Sequence, residues 1–134
     1  MALSVLDAGV LIALLDPADR HHGAARAALD AYAGDDLRTP AHTLAEALVH
    51  PARAGREREA RRLLALIEIT VDPVEERVAV AAARLRAAHG PGLRLPDALV
   101  IAYGNAVRAR RVLTADSRWA AWSPRVEVLG AGSS

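Results

Sequence analysis

Four acidic residues lie where the sequence predicts that buried strands end and helices begin. Asp7 directly follows the apolar run Leu3–Leu6, and Asp116 follows another strand-like run. Glu46 is about one turn into the helix after a second predicted strand, and Asp97 lies in the first turn of a later helix. The carboxyl ends of parallel strands meet at one edge of a sheet, where ligands bind. The sequence therefore predicts that these carboxylates gather at one edge.

Carboxylates that share a site repel one another, and this repulsion raises some of their pKa values unless a cation is bound. Hard divalent ions such as Mg²⁺ and Mn²⁺ prefer oxygen ligands and keep several of their waters. Such an ion polarises a phosphoryl oxygen, helps to deprotonate an attacking water and neutralises charge on the leaving oxygen. We therefore expect a phosphodiester hydrolase site in which Asp7, Glu46, Asp97 and Asp116 surround a divalent ion.

Each acidic residue also has a structural explanation. An Asp between a strand and a helix commonly caps the helix, which applies equally well to Asp7, Asp97 or Asp116 taken singly. Glu46 has mostly apolar neighbours on its helix, so we expect it to be buried and in need of a metal or an arginine partner. One shared site explains all four positions more economically than four separate caps and ion pairs.

A second metal pattern lies on the helix that carries Glu46. His42, Glu46 and His50 are spaced four apart, so they share one face, as zinc ligands can. Zinc would require further His or Cys ligands from elsewhere, but the chain has no Cys, and His50 precedes Pro51 at the helix end. We therefore favour the hard divalent ion.

The elements that would position these residues alternate between strand and helix. Short apolar or β-branched runs predict strands, and the amphipathic or alanine-rich stretches between them predict helices. The predicted strands are Leu3–Leu6, Leu37–Thr39, Glu68–Asp72, Arg111–Thr114 and Val126–Leu129. The predicted helices are Val10–Leu15, His21–Ala33, Ala41–His50, Arg53–Ile67, Pro73–His89, Pro96–Ala109 and a helical turn at Asp116–Trp122. This alternation indicates an α/β protein with a parallel sheet between helical layers.

Length and composition narrow the class of protein further. The 134 residues suit one domain, expected over residues 1–130 and followed by a short flexible tail at 131–134. All 17 basic residues are arginine, the net charge is +1, and the aromatic residues are two Trp and two Tyr. These values argue against a broad basic nucleic-acid platform and against recognition by base stacking.

Two further absences concern the cellular compartment. The lack of cysteine excludes disulfides and thiolate catalysis, and it is compatible with a cytoplasmic location. The uninterrupted apolar run Ala8–Leu15 is too short to span a membrane, and no basic segment of a signal peptide precedes it. We therefore expect no membrane partner.

Four segments resemble the PIN-domain family, and most closely the VapC toxins of bacterial VapBC toxin–antitoxin pairs. They are VLDAGVLIALLDPADRHH at the start, AEALVHPAR around Glu46, LRLPDALVIAYG around Asp97 and VLTADSRW around Asp116. Each segment alone is weakly specific, whereas their order and spacing across essentially the whole chain are strongly so.

The resemblance implies a Mg²⁺- or Mn²⁺-dependent endoribonuclease whose acidic constellation is Asp7, Glu46, Asp97 and Asp116. It implies cleavage of RNA, often tRNA or another structured RNA, that leaves a 5′-phosphate and a 3′-hydroxyl. It also implies a three-layer α/β/α fold whose five-stranded parallel sheet has the order 3-2-1-4-5. The implied partners are a second copy of the chain and a VapB-type antitoxin that occupies the active-site groove.

One residue departs from the family's pattern. Family members frequently carry Ser or Thr two residues after the first Asp, where this chain has Gly9, while Thr114 keeps the hydroxyl that precedes the last Asp. Loss of the first hydroxyl puts the support of the metal site in question. Two alternatives therefore stay open: a catalytically impaired PIN-like binding or regulatory module, and a metal-dependent DNA nuclease.

Two arginines adjoin the predicted site in the sequence. Arg94 lies close to Asp97, and Arg118 lies close to Asp116, so either guanidinium could hold an RNA phosphate in a bidentate manner. Both could equally be solvated surface residues. The arginine-rich stretch 53–62 is typical of a solvated helix face, and it would also suit a surface that meets RNA or an antitoxin.

Overall fold

The computed structural model describes residues 1–130, so the predicted tail at 131–134 lies outside the described residues. The strands are β1 (Leu3–Leu6), β2 (Asp36–Pro40), β3 (Thr70–Asp72), β4 (Arg111–Thr114) and β5 (Val126–Val128). They pair in parallel in the order β3-β2-β1-β4-β5. The predicted five-stranded parallel sheet and its order are confirmed. The strand order reverses between β1 and β4, and the crevice beyond their carboxyl ends is where sheets of this kind bind ligands.

Six α-helices connect the strands within the described range. They are α1 (Ala8–Leu15), α2 (His22–Ala31), α3 (Ala41–Arg53), α4 (Glu57–Leu66), α5 (Glu76–His89) and α6 (Leu95–Ala106), with 3₁₀ turns at Gly90–Gly92 and Ser117–Ala121. Within residues 1–130, no helix is both long and apolar enough to cross a membrane.

The helices cover both faces of the sheet, and each face has its own apolar core. Adjacent residues of β1 point to opposite faces, with Val5 in one core and Leu6 in the other. The Val5 core contains buried residues of α5 and α6, whereas the Leu6 core contains residues of α1, α2, α3 and α4. The predicted three-layer arrangement is therefore confirmed, and α3 and α6 belong to different cores.

Several helix boundaries differ from the predictions because of single backbone positions. Helix α3 continues through Pro51 to Arg53, where proline in the last turn removes only one late hydrogen bond. Gly55, with a φ of 71°, then separates α3 from α4, which begins at Glu57 and not at Arg53. Helix α6 ends before the predicted Ala109 because Arg108 adopts a left-handed φ of 54°.

The apolar residues of α4 are only partly buried. Leu64 is buried in the Leu6 core, and Ile67 packs against it. Leu63 and Leu66 are 39% and 75% exposed.

Gly104 sets how closely α6 approaches β4. A Cβ atom at Gly104 would lie 2.5 Å from the Cγ2 of Val112, a fully buried residue of β4. The absence of a side chain therefore lets the helix backbone rest directly on the strand. This close contact sets the distance between the sheet and α6, the helix that carries Asp97.

Candidate active site

Asp7 joins the end of β1 to the start of α1 and is buried between them. Its Oδ1 accepts a hydrogen bond of 2.8 Å from the Val10 amide, which caps α1, and its Oδ2 accepts one of 2.5 Å from the Thr114 hydroxyl. Thr114 ends β4, so this bond bridges the two strands at which the sheet order reverses. The capping explanation is thus correct for Asp7, but it uses only one of the two oxygens.

The surroundings of Asp7 work against its ionisation. Burial raises its pKa to about 6, because the charged form loses its hydration. The bonds from Thr114 and Val10 lower the pKa, and the negative charges of Asp97 and Asp116 raise it. Three of the predicted carboxylates therefore lie close enough to repel one another at the carboxyl edge of the sheet.

Asp97 lies in the first turn of α6 and is half-buried. Burial raises its pKa, and the charges of Glu46 and Asp116 raise it further, while Arg94 and Arg118 lower it. Its side chain does not cap α6, whose N-cap is Arg94 without a side-chain bond. The capping explanation therefore does not apply to Asp97.

Glu46 is exposed, so the expectation that its apolar neighbours would bury it was wrong. Thr43 and Ala47 form the buried side of α3, and Glu46 faces outward between them. Its charge acts on Asp97, as described above, but it is not among the causes of the raised pKa of Asp7. Glu46 thus lies on the Asp97 side of the acidic edge.

Asp116 follows β4 and is held by Arg118. It caps the 3₁₀ turn through a bond of 3.0 Å from the Arg118 amide, and Nε and Nη2 of the same arginine lie 3.0 and 2.7 Å from Oδ1 and Oδ2. These hydrogen bonds lower the pKa of Asp116, because the guanidinium stabilises the charged carboxylate. The Arg118 side chain, predicted to grip RNA, is here the internal counter-ion of Asp116.

The chemistry of these side chains fits a hard divalent cation. All four candidates offer carboxylate oxygens, and their mutual repulsion is what a bound cation would relieve. Among residues 1–130, no three His, Asp or Glu side chains converge closely enough to form a complete ligand cluster. Mg²⁺ does not require such a cluster, since it is commonly held by one or two carboxylates and several waters.

The alternative zinc pattern of His42, Glu46 and His50 is not assembled. His42 Nε2 lies 2.9 Å from the carbonyl oxygen of Pro96, and His50 is exposed near the end of α3. The sequence considered His42 only as a metal ligand and missed this contact. The position of His42 one turn before Glu46 on the same helix was the sequence signal that it lies near the site.

Gly9 lies directly beside the carboxylate of Asp7. A Cβ atom built at Gly9 would lie 3.5 Å from Asp7 Oδ1 and 3.9 Å from the Ala115 Cβ, which are ordinary contact distances. The position at which the family often carries a hydroxyl thus faces the acidic edge, and this chain has room for a side chain there.

The sequence matches the model of the PIN domain over residues 4–122. The chain belongs to the PIN-domain family. This match spans all four acidic residues. A comparison with curated proteins gives no significant match.

Three solved structures of bacterial proteins are among those that share this fold. A toxin–antitoxin complex from Klebsiella pneumoniae aligns with a TM-score of 0.77 and 24% identity, covering 93% of this chain and 96% of that one. VapC20 from Mycobacterium tuberculosis, a sarcin-ricin loop cleaving toxin, gives 0.73 and 21%, covering 88% and 93%. VapBC2 from Rickettsia felis, bound to a promoter DNA fragment, gives 0.75 and 14%, covering 94% and 98%. At these identities the likeness establishes the shared fold.

Proposed function

We propose that this PIN domain is a Mg²⁺- or Mn²⁺-dependent endoribonuclease and the toxin of a type II toxin–antitoxin pair. The observation that carries the proposal is the acidic edge, where buried Asp7 and half-buried Asp97 have pKa values raised by burial and by neighbouring carboxylates. Membership of the PIN family and the fold shared with toxin–antitoxin proteins support it. Structured RNA, tRNA included, is the proposed substrate class.

Each carboxylate has a distinct part in this proposal. A bound divalent ion would supply charge neutralisation and activation of water for attack on a phosphodiester. Asp7 and Asp97 would hold the ion directly, with Asp7 oriented by Thr114 and by the Val10 amide. Exposed Glu46 would act from the Asp97 side, where it can orient or deprotonate a water.

Two arginines complete the proposed site. Asp116 would join the other carboxylates directly or through water once Arg118 moves away from it, and this movement would leave the Arg118 guanidinium free to bind phosphate. Arg94 lies at the start of α6, where its charge already acts on Asp97. It would hold the RNA backbone beside the ion.

The proposed partners follow from the same class of proteins. We propose a VapB-type antitoxin that covers the acidic edge, a homodimer, and a cytoplasmic location. The PIN domain would span residues 1–130. Co-expression with the neighbouring small open reading frame, followed by copurification, tests the antitoxin, and sedimentation of the free chain tests the dimer.

The decisive experiment measures nuclease activity of the purified chain, free of any partner, on structured RNA and on DNA. Reactions contain Mg²⁺, Mn²⁺ or EDTA, and wild type is compared with Asp7→Ala and Asp97→Ala. We expect RNA cleavage that requires the ion and falls by at least roughly 100-fold in each variant, since both remove a charge at the reacting centre. Asp30→Ala, a change at an exposed helical Asp, is the matched control.

The alternatives give different results. Equal activity of wild type and variants, or no cleavage by any of them, would favour the binding or regulatory module, which Gly9 keeps open. Preferential cleavage of DNA would favour the DNA nuclease. Cleavage in EDTA would exclude the metal-dependent mechanism.

A further inference from the structure

Glu46 and Asp97 lie on helices that pack in different cores. Helix α3 buries Ala47 against the Leu6 core, whereas α6 buries Ala98 and Ile101 in the Val5 core. The two helices are thus anchored on opposite faces of the sheet, and their first turns are in contact at the carboxyl edge. The separation of the two carboxylates therefore depends on what joins these first turns.

The side chain of His42 connects these first turns by a hydrogen bond. His42, in the first turn of α3, places Nε2 2.9 Å from the carbonyl oxygen of Pro96, in the first turn of α6. Within the described range 1–130, no other hydrogen bond of a side chain joins these two helices. Pro96 immediately precedes Asp97, and His42 lies one turn before Glu46 on the same face of α3.

The cost of this contact indicates that stability is not its purpose. A bond to a carbonyl oxygen requires the proton on Nε2, so Nδ1 is left as an acceptor. Nδ1 of His42 is buried and has no hydrogen-bond partner, which is unfavourable. A leucine would fill similar space without that penalty, but it could not hold Pro96.

We propose that His42 is a positioning residue that fixes Asp97 relative to Glu46 and thereby sets the affinity of the acidic edge for a divalent ion. The metal part of this inference rests on the proposed function. The positional part concerns the protein alone and is measurable without metal.

The positional part is tested with spin labels. The chain has no native cysteine, so Ala45→Cys on α3 and Leu95→Cys on α6, both exposed, give two unique labelling sites. We expect one narrow inter-label distance in the otherwise native chain by dipolar EPR. His42→Leu should broaden or lengthen it, and His42→Gln should restore it because the amide nitrogen of Gln can donate in place of Nε2. His50→Leu, the other histidine of α3, is the matched control.

The metal part is tested by Mn²⁺ titration of the same substitutions without labels. His42→Leu should bind Mn²⁺ roughly 10–100-fold more weakly, as is typical when a group that orients a ligand is lost. His42→Gln and His50→Leu should stay close to wild type. The thermal midpoint of His42→Leu should equal or exceed that of wild type, because an unpartnered buried acceptor is removed.

The outcomes separate the inference from the proposed function. Unchanged inter-label distances in His42→Leu, or a Gln variant that behaves like Leu, would overturn the inference. Equal Mn²⁺ affinity of wild type and His42→Leu would overturn its metal part and leave the proposed function intact. Distances that respond as expected, in a chain that binds no Mn²⁺ in any form, would overturn the metal part and the proposed function together.

Discussion

Asp7 is a residue whose ionisation opposes folding when no metal is bound. Its pKa is raised from 3.8 to about 6 by burial. The folded chain therefore keeps the proton over a pH range in which the unfolded chain has lost it. The resulting stability is fully present below about pH 4 and is lost as pH rises through 6, at a cost of about 3 kcal/mol once Asp7 is fully ionised.

The substitution Asp7→Asn should separate stability from activity. Asparagine can still cap α1 but carries no charge, so in EDTA at pH 8 its free energy of unfolding should exceed that of wild type by about 1–3 kcal/mol. The difference should shrink toward zero below pH 4, and metal-dependent cleavage should be lost. Urea unfolding from pH 4 to 8 measures it, with Asp30→Asn as the exposed control. A difference independent of pH would contradict this assignment.

Under the proposed function, Arg118 would compete with the bound cation for Asp116. The pair is exposed, with side-chain exposures of 62% and 30%, so the interaction is weak. Arg118→Ala should raise Mn²⁺ affinity by roughly twofold to fivefold, the equivalent of a surface ion pair, and should weaken RNA binding. Arg110→Ala, at an exposed arginine without an ion pair in the described residues, should change neither. Weaker Mn²⁺ binding by Arg118→Ala would exclude the competition.

At the scale of elements, two helical glycines should respond oppositely to an added side chain. At Gly104 a Cβ would meet buried Val112 at 2.5 Å, so the overpacking cost of Gly104→Ala exceeds the helical gain of about 1 kcal/mol. We expect a net loss of about 1–2 kcal/mol in unfolding free energy by urea titration. Gly9→Ser meets only ordinary contacts and should keep or raise stability. Equal effects of the two changes would refute the close approach of α6 to β4.

At the scale of the whole molecule, a partly buried polar network begins at the end of the sheet where β1 and β4 start. Arg111 of β4 forms an ion pair with Asp35, donates a hydrogen bond of 3.0 Å to Ser4 of β1, and stacks 3.7 Å above the ring of Tyr32. The Tyr32 hydroxyl donates a hydrogen bond of 2.5 Å to Glu127 of β5. The network thus joins three strands to the end of α2.

Arg111→Met should therefore destabilise the chain and leave the site unchanged. Replacing Arg111 leaves the carboxylate of Asp35 without its ion-pair partner, although the Asp35 side chain is only 15% exposed. Removing one partner of a buried ion pair costs about 3–5 kcal/mol of unfolding free energy. Mn²⁺ affinity of the folded protein should not change. The double variant Arg111→Met with Asp35→Asn should recover much of the loss in urea unfolding. A single variant as stable as wild type would show that the network is dispensable.

The sequence by itself determined the elements and the edge at which the acids gather. Strand and helix follow from local periodicity, so β1 and β4 have the predicted bounds, and the alternation of elements predicted a parallel sheet. The carboxyl ends of such strands share one edge, which is why Asp7, Asp97 and Asp116 could be placed together from their positions along the chain. The strand order came from the family resemblance.

Tertiary structure alone decided how each side chain is used. The bond between Asp7 and Thr114 joins residues that are 107 positions apart in the chain. No local sequence pattern could therefore predict this bond or the burial of Asp7. The exposure of Glu46, the bond of His42 to Pro96 and the closeness of Gly104 to Val112 likewise arise where separate elements meet. Desolvation and hydrogen bonding depend on spatial neighbours, whereas the sequence pattern reports neighbours along the chain. The sequence thus located the acidic edge, and the packing of distant elements set its charges.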